Sequence, residues 1–249
     1  MMKNSNFERY ERQIILPKWG VETQEKLKRS RVLIAGMGGL GCPVALNLAQ
    51  AGVGHLRICD YDQVETTNLN RQFLHSEKKI GMNKAQSAAG ALSTLNPGIT
   101  VEPVFEEITD QNVEDIVGES EIIVDCVDNF PTRYALNRCA IRKGIPMVHG
   151  AIWGMEGRVT FINPPATPCL MCIFPKAPTK QRFPALGALT CLIGSLQALE
   201  AIKYLTGVGS LLSGRMLILD ASTMQYQELE VLKNPKCPAC GGKRFEDPI

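Results

Sequence analysis

The chain has 249 residues, of which 45% are hydrophobic and 21% charged. That composition is globular and excludes a disordered chain, a collagen and a coiled coil. The 27 basic and 25 acidic side chains leave a formal charge of +2, too weak a field to advertise nucleic acid. No run reaches the roughly 18 unbroken apolar residues of a membrane helix. The polar start MMKNSNFERYERQ lacks the apolar stretch of a signal peptide. A cytoplasmic protein without a membrane segment is expected, and nine cysteines in that compartment argue against a disulfide framework.

Residues 7–30 carry alternating charges and suggest helix. RVLIAG (31–36) is a short branched apolar run, followed by glycines, a helical segment from Cys42 to Ala51 and a strand HLRICD (55–60). Strand, turn, helix and strand within about 30 residues make one βαβ unit. The alternation continues with helix 82–95, strand 100–107, a short helix 110–117 and strand EIIVDCVD (121–128). The near-continuous apolarity of that last run is what a strand covered on both faces shows. Helix 131–143 and strand 146–152 follow. EGRVTFINP (156–164) is a further strand, reached by too short a link for a crossover helix. Residues 173–186 are Pro-rich and basic, with Lys176, Lys180 and Arg182, and form a loop. Leu189, Leu192, Ile193, Leu196, Leu199, Ile202 and Leu205 fall three and four apart, the mark of a core-facing helix. RMLILDA and QYQELEVLK close the chain as a hairpin. The fold expected is α/β, a doubly wound Rossmann-like and mostly parallel sheet with a zinc-stapled C-terminal elaboration. It is one domain over 1–249, with N-terminal helices 7–30, a core 31–165, a crossover loop 173–187 and a C-terminal helix, hairpin and knuckle 188–249.

Gly36, Gly38 and Gly41 satisfy G-x-G-x-x-G, with Gly39 as an extra, and Asp60 ends the next strand nineteen residues on. Glycines let the backbone approach a phosphate, the helix N-terminus offers free N–H groups and the acid takes ribose hydroxyls. Taken alone, the fingerprint favours NAD. Asn68, Arg71 and Lys84 follow just beyond the ribose position, and such added cations suit a longer anion such as a triphosphate. Cys169/Cys172 and Cys237/Cys240 form two C-x-x-C knuckles. Their four sulfurs suffice for a closed, structural tetrahedral zinc site; a redox pair is the rival reading. His55, His75 and His149 stand singly and read as structural residues.

RYERQIIL (9–16), GMGGLGCPVALNLAQAGVG (36–54), DYDQVETTNLNRQ (60–72), IGMNKA (80–85), DCVDNFPTRY (125–134) and IGSLQALEAIKYLTG (193–207) together resemble the MoeB/ThiF/HesA adenylyltransferases, relatives of ubiquitin-activating enzymes. The resemblance covers about residues 7–242. It implies a homodimer that binds ATP and Mg2+ and adenylates the C-terminal glycine carboxylate of a ubiquitin-like sulfur carrier, releasing pyrophosphate, as in thiamine or molybdopterin biosynthesis. By matched motif, Gly36, Gly38, Gly39 and Gly41 would line the phosphates and Asp60 would hold the ribose. Asn68, Arg71 and Lys84 would contact the triphosphate, with Val127 beside the nucleotide. Asp128 would serve magnesium, and Arg12 would reach in from the partner subunit. The rival reading of Asp128 is a helix N-cap.

A C-terminal carboxylate has a pKa of roughly 3.3–3.7 and is already anionic at neutral pH. No general base is needed, and none is evident. The demand is for cations and fixed dipoles around the phosphates. One departure stands out. Many relatives carry a cysteine in the crossover loop, whereas Ile173 to Thr190 contains none; the expected position falls near Lys180. Cys191 comes next and reads as a small buried hydrophobe. The alternatives are adenylation of a small-molecule or cofactor-precursor carboxylate, an NAD-dependent oxidoreductase, and a non-catalytic scaffold.

Overall fold

The computed structural model describes residues 7–177 and 184–241. One eight-stranded sheet runs through it in the order β3-β2-β1-β4-β5-β6-β7-β8. β1 (Arg31–Ala35), β2 (His55–Cys59), β3 (Thr100–Val104), β4 (Ile122–Asp125) and β5 (Met147–Trp153) are parallel neighbours. β6 (Glu156–Ile162), β7 (Arg215–Asp220) and β8 (Gln225–Glu230) extend the sheet antiparallel. β4 is buried at every position and β1 at all but its first, as strands covered on both faces must be. β3 forms the edge, where Pro103 sacrifices no ladder donor the sheet needs. β3 stops at Val104, short of the expected 107.

Two apolar layers cover the sheet. Leu27, Val32, Ile34, Leu48, Leu56, Leu92, Ile193 and Phe161 belong to one. It joins α2 (Gly20–Arg29), α3 (Gly41–Ala51), α4 (Lys84–Leu95) and α8 (Gly187–Thr206) to the sheet. Leu33, Val113, Ile123, Leu136 and Leu170 belong to the other. It joins α5 (Val113–Val117), α6 (Phe130–Lys143) and α7 (Leu170–Ile173).

The N-terminal region is not one helix. A 3-10 turn (Glu8–Tyr10) runs into the four-residue α1 (Glu11–Ile14), and α2 starts only at Gly20. Pro17 and the positive φ of Lys18 and Gly20 separate them. α5 starts later than 110 because Asn112 Oδ1 accepts the Thr109 N–H (2.8 Å) and closes a turn first.

α8 has the length and composition to cross a membrane, yet it lies in the core against α3, β5 and β6. Its buried face differs from the leucine pattern. Leu199 is exposed, whereas Gln197 and Glu200 are buried. Gln197 Nε2 donates to Asp125 O (2.7 Å), and Glu200 Oε2 accepts the Leu212 N–H (2.8 Å). Satisfied polar groups can occupy a core position at little cost.

Candidate functional site

β1 delivers the chain to Gly36 at the carboxyl end of the parallel strands, and α3 departs from Gly41. A Cβ on Gly41 would lie 1.9 Å from the Gly36 carbonyl oxygen. One on Gly36, whose φ is +93°, would lie 2.8 Å from the carbonyl oxygen of Cys126. Only glycine fits either place, and the turn therefore rests directly on the Cys126–Val127 backbone. Asp60 braces it from the other side. Its Oδ2 accepts the Met37 N–H (2.7 Å) and its Oδ1 the Asp62 N–H (2.9 Å). Burial raises the Asp60 pKa, opposed by Lys84 and by these N–H donors. Each carboxylate oxygen keeps a further lone pair for a hydroxyl.

The loop after Asp60 is built to return to the turn. Asn83 caps α4 by accepting the Gln86 N–H (3.2 Å) and donates to Asp60 O (2.9 Å). This places Lys84 at the helix start, buried, with Nζ 2.9 Å from Asp62 Oδ2. One of its three donors is thus engaged. Asn68 is also buried; its Oδ1 accepts the Glu65 N–H (3.0 Å) and closes a reciprocal cap on a 3-10 turn, Thr66–Asn68. Arg71 follows. Its Nη1 donates to Thr67 O and Asn70 Oδ1, both at 2.9 Å, and it pairs with no carboxylate among the described residues. A Cβ on Gly39 would meet the Arg71 stem at 3.5 Å and the Thr190 methyl at 3.1 Å. Arg71, the glycine turn and the first turn of α8 therefore converge. Gln72, absent from the expected set, is buried beside Gly38, and its Oε1 has no hydrogen-bond partner among the described residues. The N-L-N-R-Q block was the signal for it.

On the far side of the turn, Val127 is half-buried and Asp128 exposed. Asp128 is not the helix cap. Asn129 Oδ1 accepts the Thr132 N–H (2.9 Å) and caps α6, leaving the Asp128 carboxylate uncommitted to the helix. A single such acid is what Mg2+ commonly takes from a protein when phosphates supply the remaining oxygens. The structure also joins His149, expected to be structural, to two residues that the sequence did not single out, Asp125 and Arg133. Asp125 at the end of β4, His149 within β5 and Arg133 in α6 form a fully or nearly fully buried cluster. An acid closing an apolar strand, and an arginine one helical turn into the next helix, were the available signals.

Arg12 is not brought to this place. Tyr10 packs against Gly52, where a Cβ would lie 2.6 Å from its ring, and Gln13 Nε2 donates to Ala51 O (2.7 Å). Both anchors lie at the end of α3 remote from the glycine turn, about 16 Å away for eleven residues at 1.5 Å each. Arg12 is exposed there, with exposed Ile15, Leu16 and Val21 nearby in the chain.

The two knuckles meet. Cys169 Sγ lies 3.6 Å from Cys237 Sγ and 4.0 Å from Cys172 Sγ, and Cys172 and Cys240 are 3.4 Å apart. These separations are too long for disulfides. They match the edges, about 3.8 Å, of a tetrahedron with metal–sulfur bonds of about 2.3 Å. All four ligand atoms lie within 4.8 Å of one another, so the cluster could bind zinc. Burial pushes the Cys240 thiol up to about 11; a bound cation would reverse that by favouring the thiolate.

His75 is structural as expected, with Nδ1 2.8 Å from Ser87 Oγ and Nε2 3.0 Å from Met37 O. Cys191 departs from expectation: it is exposed, not buried, because it lies on the outer side of the first turns of α8. Lys180, the position aligned with the missing crossover cysteine, and Arg182 lie outside the described residues.

A strand–glycine turn–helix with an acid directly after the second strand defines a nucleotide-binding α/β protein. The ThiF family model matches residues 10–239, and the chain belongs to that family. It is 43% identical over 97% of its length to a Drosophila sechellia protein named adenylyltransferase and sulfurtransferase MOCS3, and spans 55% of that protein. It is 43% identical over 95% of its length to the SAMP-activating enzyme E1 of Haloferax volcanii, and spans 90% of it. Among solved structures it resembles E. coli MccB with ATP (TM-score 0.85, 25% identity, 97% of this chain and 77% of that one). It also resembles PaaA (TM-score 0.80, 26% identity, 93% and 85%).

Proposed function

We propose that this protein is an ATP-dependent adenylyltransferase acting on the C-terminal glycine carboxylate of a ubiquitin-like sulfur carrier. The observation that carries the reading is Arg71, a cation without a carboxylate partner among the described residues, set against a glycine-rich turn that Asp60 braces. ATP would lie with its ribose at Asp60, its phosphates over Gly36, Gly38, Gly39 and Gly41, and Asn68, Arg71 and Lys84 around the triphosphate, beside Val127. Asp128 would hold Mg2+, which neutralises phosphate charge when bound. The carrier carboxylate, already an anion, attacks the α-phosphorus. One O–P bond forms, the bond to the bridging oxygen breaks, and pyrophosphate leaves with the electron pair. The protein's work is to bring one anion to another, which fixed cations and N–H dipoles do well in a partly dry site.

Arg12 would act in a homodimer. Its place at the remote end of α3, beside exposed Ile15 and Leu16, supports a role at the partner's phosphates rather than its own. Cys169, Cys172, Cys237 and Cys240 would hold a structural zinc that pins the tail to α7. The nine free thiols suit a reducing, cytoplasmic setting, and residues 1–249 would act as one domain.

A second reading keeps adenylation and replaces the carrier by a small carboxylate or peptide. It is favoured by the cysteine-free stretch from Ile173 to Thr190 and by the likeness to MccB, solved together with MccA. Pyrophosphate exchange into ATP decides between them. It should require a Gly-Gly-ended carrier; exchange with small acids and none with the carrier would reverse the order.

A further inference from the structure

We propose that His149 is a positioning residue for this site: through Asp125 it fixes the Cys126–Asn129 turn, which carries Asp128. The proposal rests on the adenylation reading of that turn. β4 and β5 pair in parallel with Asp125 directly beside His149. Both side chains are fully buried, and His149 Nδ1 lies 2.7 Å from Asp125 Oδ2. Asp125 spends its other oxygen on the turn, where Oδ1 accepts the Val127 N–H at 3.2 Å. Arg133 completes the clamp. Its Nε lies 3.5 Å from Asp125 Oδ2, and its Nη2 donates to Val127 O (2.7 Å) and Gly150 O (3.3 Å). Val127 is thus held by both of its backbone polar groups. Asn129, as cap of α6, fixes the far end of the turn. Between these two anchors Cys126 and Val127 lie against Gly36, with Asp128 the next residue.

The arrangement assigns the imidazole its proton. A carboxylate beside Arg133 is an acceptor, so His149 must donate from Nδ1. Nε2 is then a bare acceptor, and it has no partner among the described residues; the Phe174 ring stands edge-on at 5.8 Å. Burial lowers the His149 pKa, opposed by the Asp125 hydrogen bond, so the ring is neutral and the cluster contains one cation and one anion. A residue that merely filled space would need neither the donor nor the tautomer.

Two replacements separate positioning from packing. His149→Asn keeps an N–H near the Nδ1 position but leaves a gap. His149→Leu fills more of the apolar space and offers no donor. In the full chain, His149→Leu should lower pyrophosphate exchange, and raise the Mg2+ concentration for half-maximal rate, by about 10- to 100-fold, the usual cost of losing an orienting partner. The Val127 amide should exchange its hydrogen faster. His149→Asn should stay within about threefold of the parent in both readouts, even if its melting temperature is the lower of the two. A Leu variant equal to the Asn variant in exchange and in Val127 protection would overturn the proposal. Should the Leu variant not fold, nitrogen shifts of the unaltered protein decide: a proton on Nδ1 alone is required, and one on Nε2 overturns it. If the unaltered protein neither binds ATP nor exchanges pyrophosphate, the adenylation reading falls, while Val127 protection still tests the clamp separately.

Discussion

The two halves of the sheet solve different problems. In the parallel half, β1 and β4 are buried on both faces, and the chemistry stands at their carboxyl ends, where loops and helix starts converge. The antiparallel half ends in β8, exposed at all six positions, with exposed Met224, Tyr226, Leu229 and Leu232 around it. In the chain segment that follows β8, Cys237 and Ala239 pack into the second apolar layer and bring four sulfurs together. Apolar burial fixes the first half; after β8 the buried apolar contribution is small, and the four sulfurs would add to it by binding zinc.

The largest effects should fall on the parallel half. Lys84→Ala removes the buried cation of the Asp62 pair and should cut pyrophosphate exchange by about a hundredfold or more, with zinc content unchanged. Arg12→Ala should do the same from the other end of α3. Mixing the two inactive chains should restore roughly a quarter of parental activity, since half of randomly reassorted dimers are mixed and each has one intact site. No recovery on mixing would remove the trans role of Arg12.

Next comes the thiol cluster. Cys237→Ser should abolish zinc binding and lower stability by several kcal/mol, about what loss of a structural site costs. In a protein that never held metal, a chelator would leave the melting temperature of the unaltered chain unchanged.

A smaller effect joins the halves to pH. Burial lowers the pKa of both His75 and His149, so the unfolded chain takes up protons first as pH falls through about 6.5. Stability should therefore be retained above that value and decline below it, by up to about 1.4 kcal/mol per pH unit for each histidine. His149→Asn should flatten the slope. Asp60, whose pKa is raised, contributes with the opposite sign at lower pH, from its ordinary 3.8 upward. A melting temperature independent of pH from 7.5 to 5.5 would contradict the assignment of neutral rings.

The smallest effect belongs to the exposed edge. Leu229→Ala should change stability by no more than about 0.5 kcal/mol, whereas Ile123→Ala in β4 should cost about 2–5 kcal/mol. Comparable losses from the two would erase the distinction between the halves.

Much of this was legible in the residues. The apolar runs gave the strands, the glycines and Asp60 the turn, and the paired C-x-x-C motifs the thiol cluster, because each is a local signal. What failed was nonlocal. The leucine spacing of α8 placed Leu199 inward, but Gln197 takes the core face because backbone carbonyls of β4 and β5 await it there. Cys191 reads as buried from its apolar neighbours, although only packing decides which side of a helix turn meets solvent. Asp128 competed with Asn129 for one cap, and the two differ by a single residue of helix phase. His149 looked solitary because its partner lies 24 residues earlier, beside it only through strand register.

The glycine turn, Arg71 and their neighbours should together accept a triphosphate. Titration calorimetry of the full chain with Mg·ATP and with NAD tests it most directly. The account predicts saturable binding of Mg·ATP, weakened at least tenfold by Arg71→Ala, and no measurable heat from NAD. Tight NAD binding with indifference to Mg·ATP would contradict it.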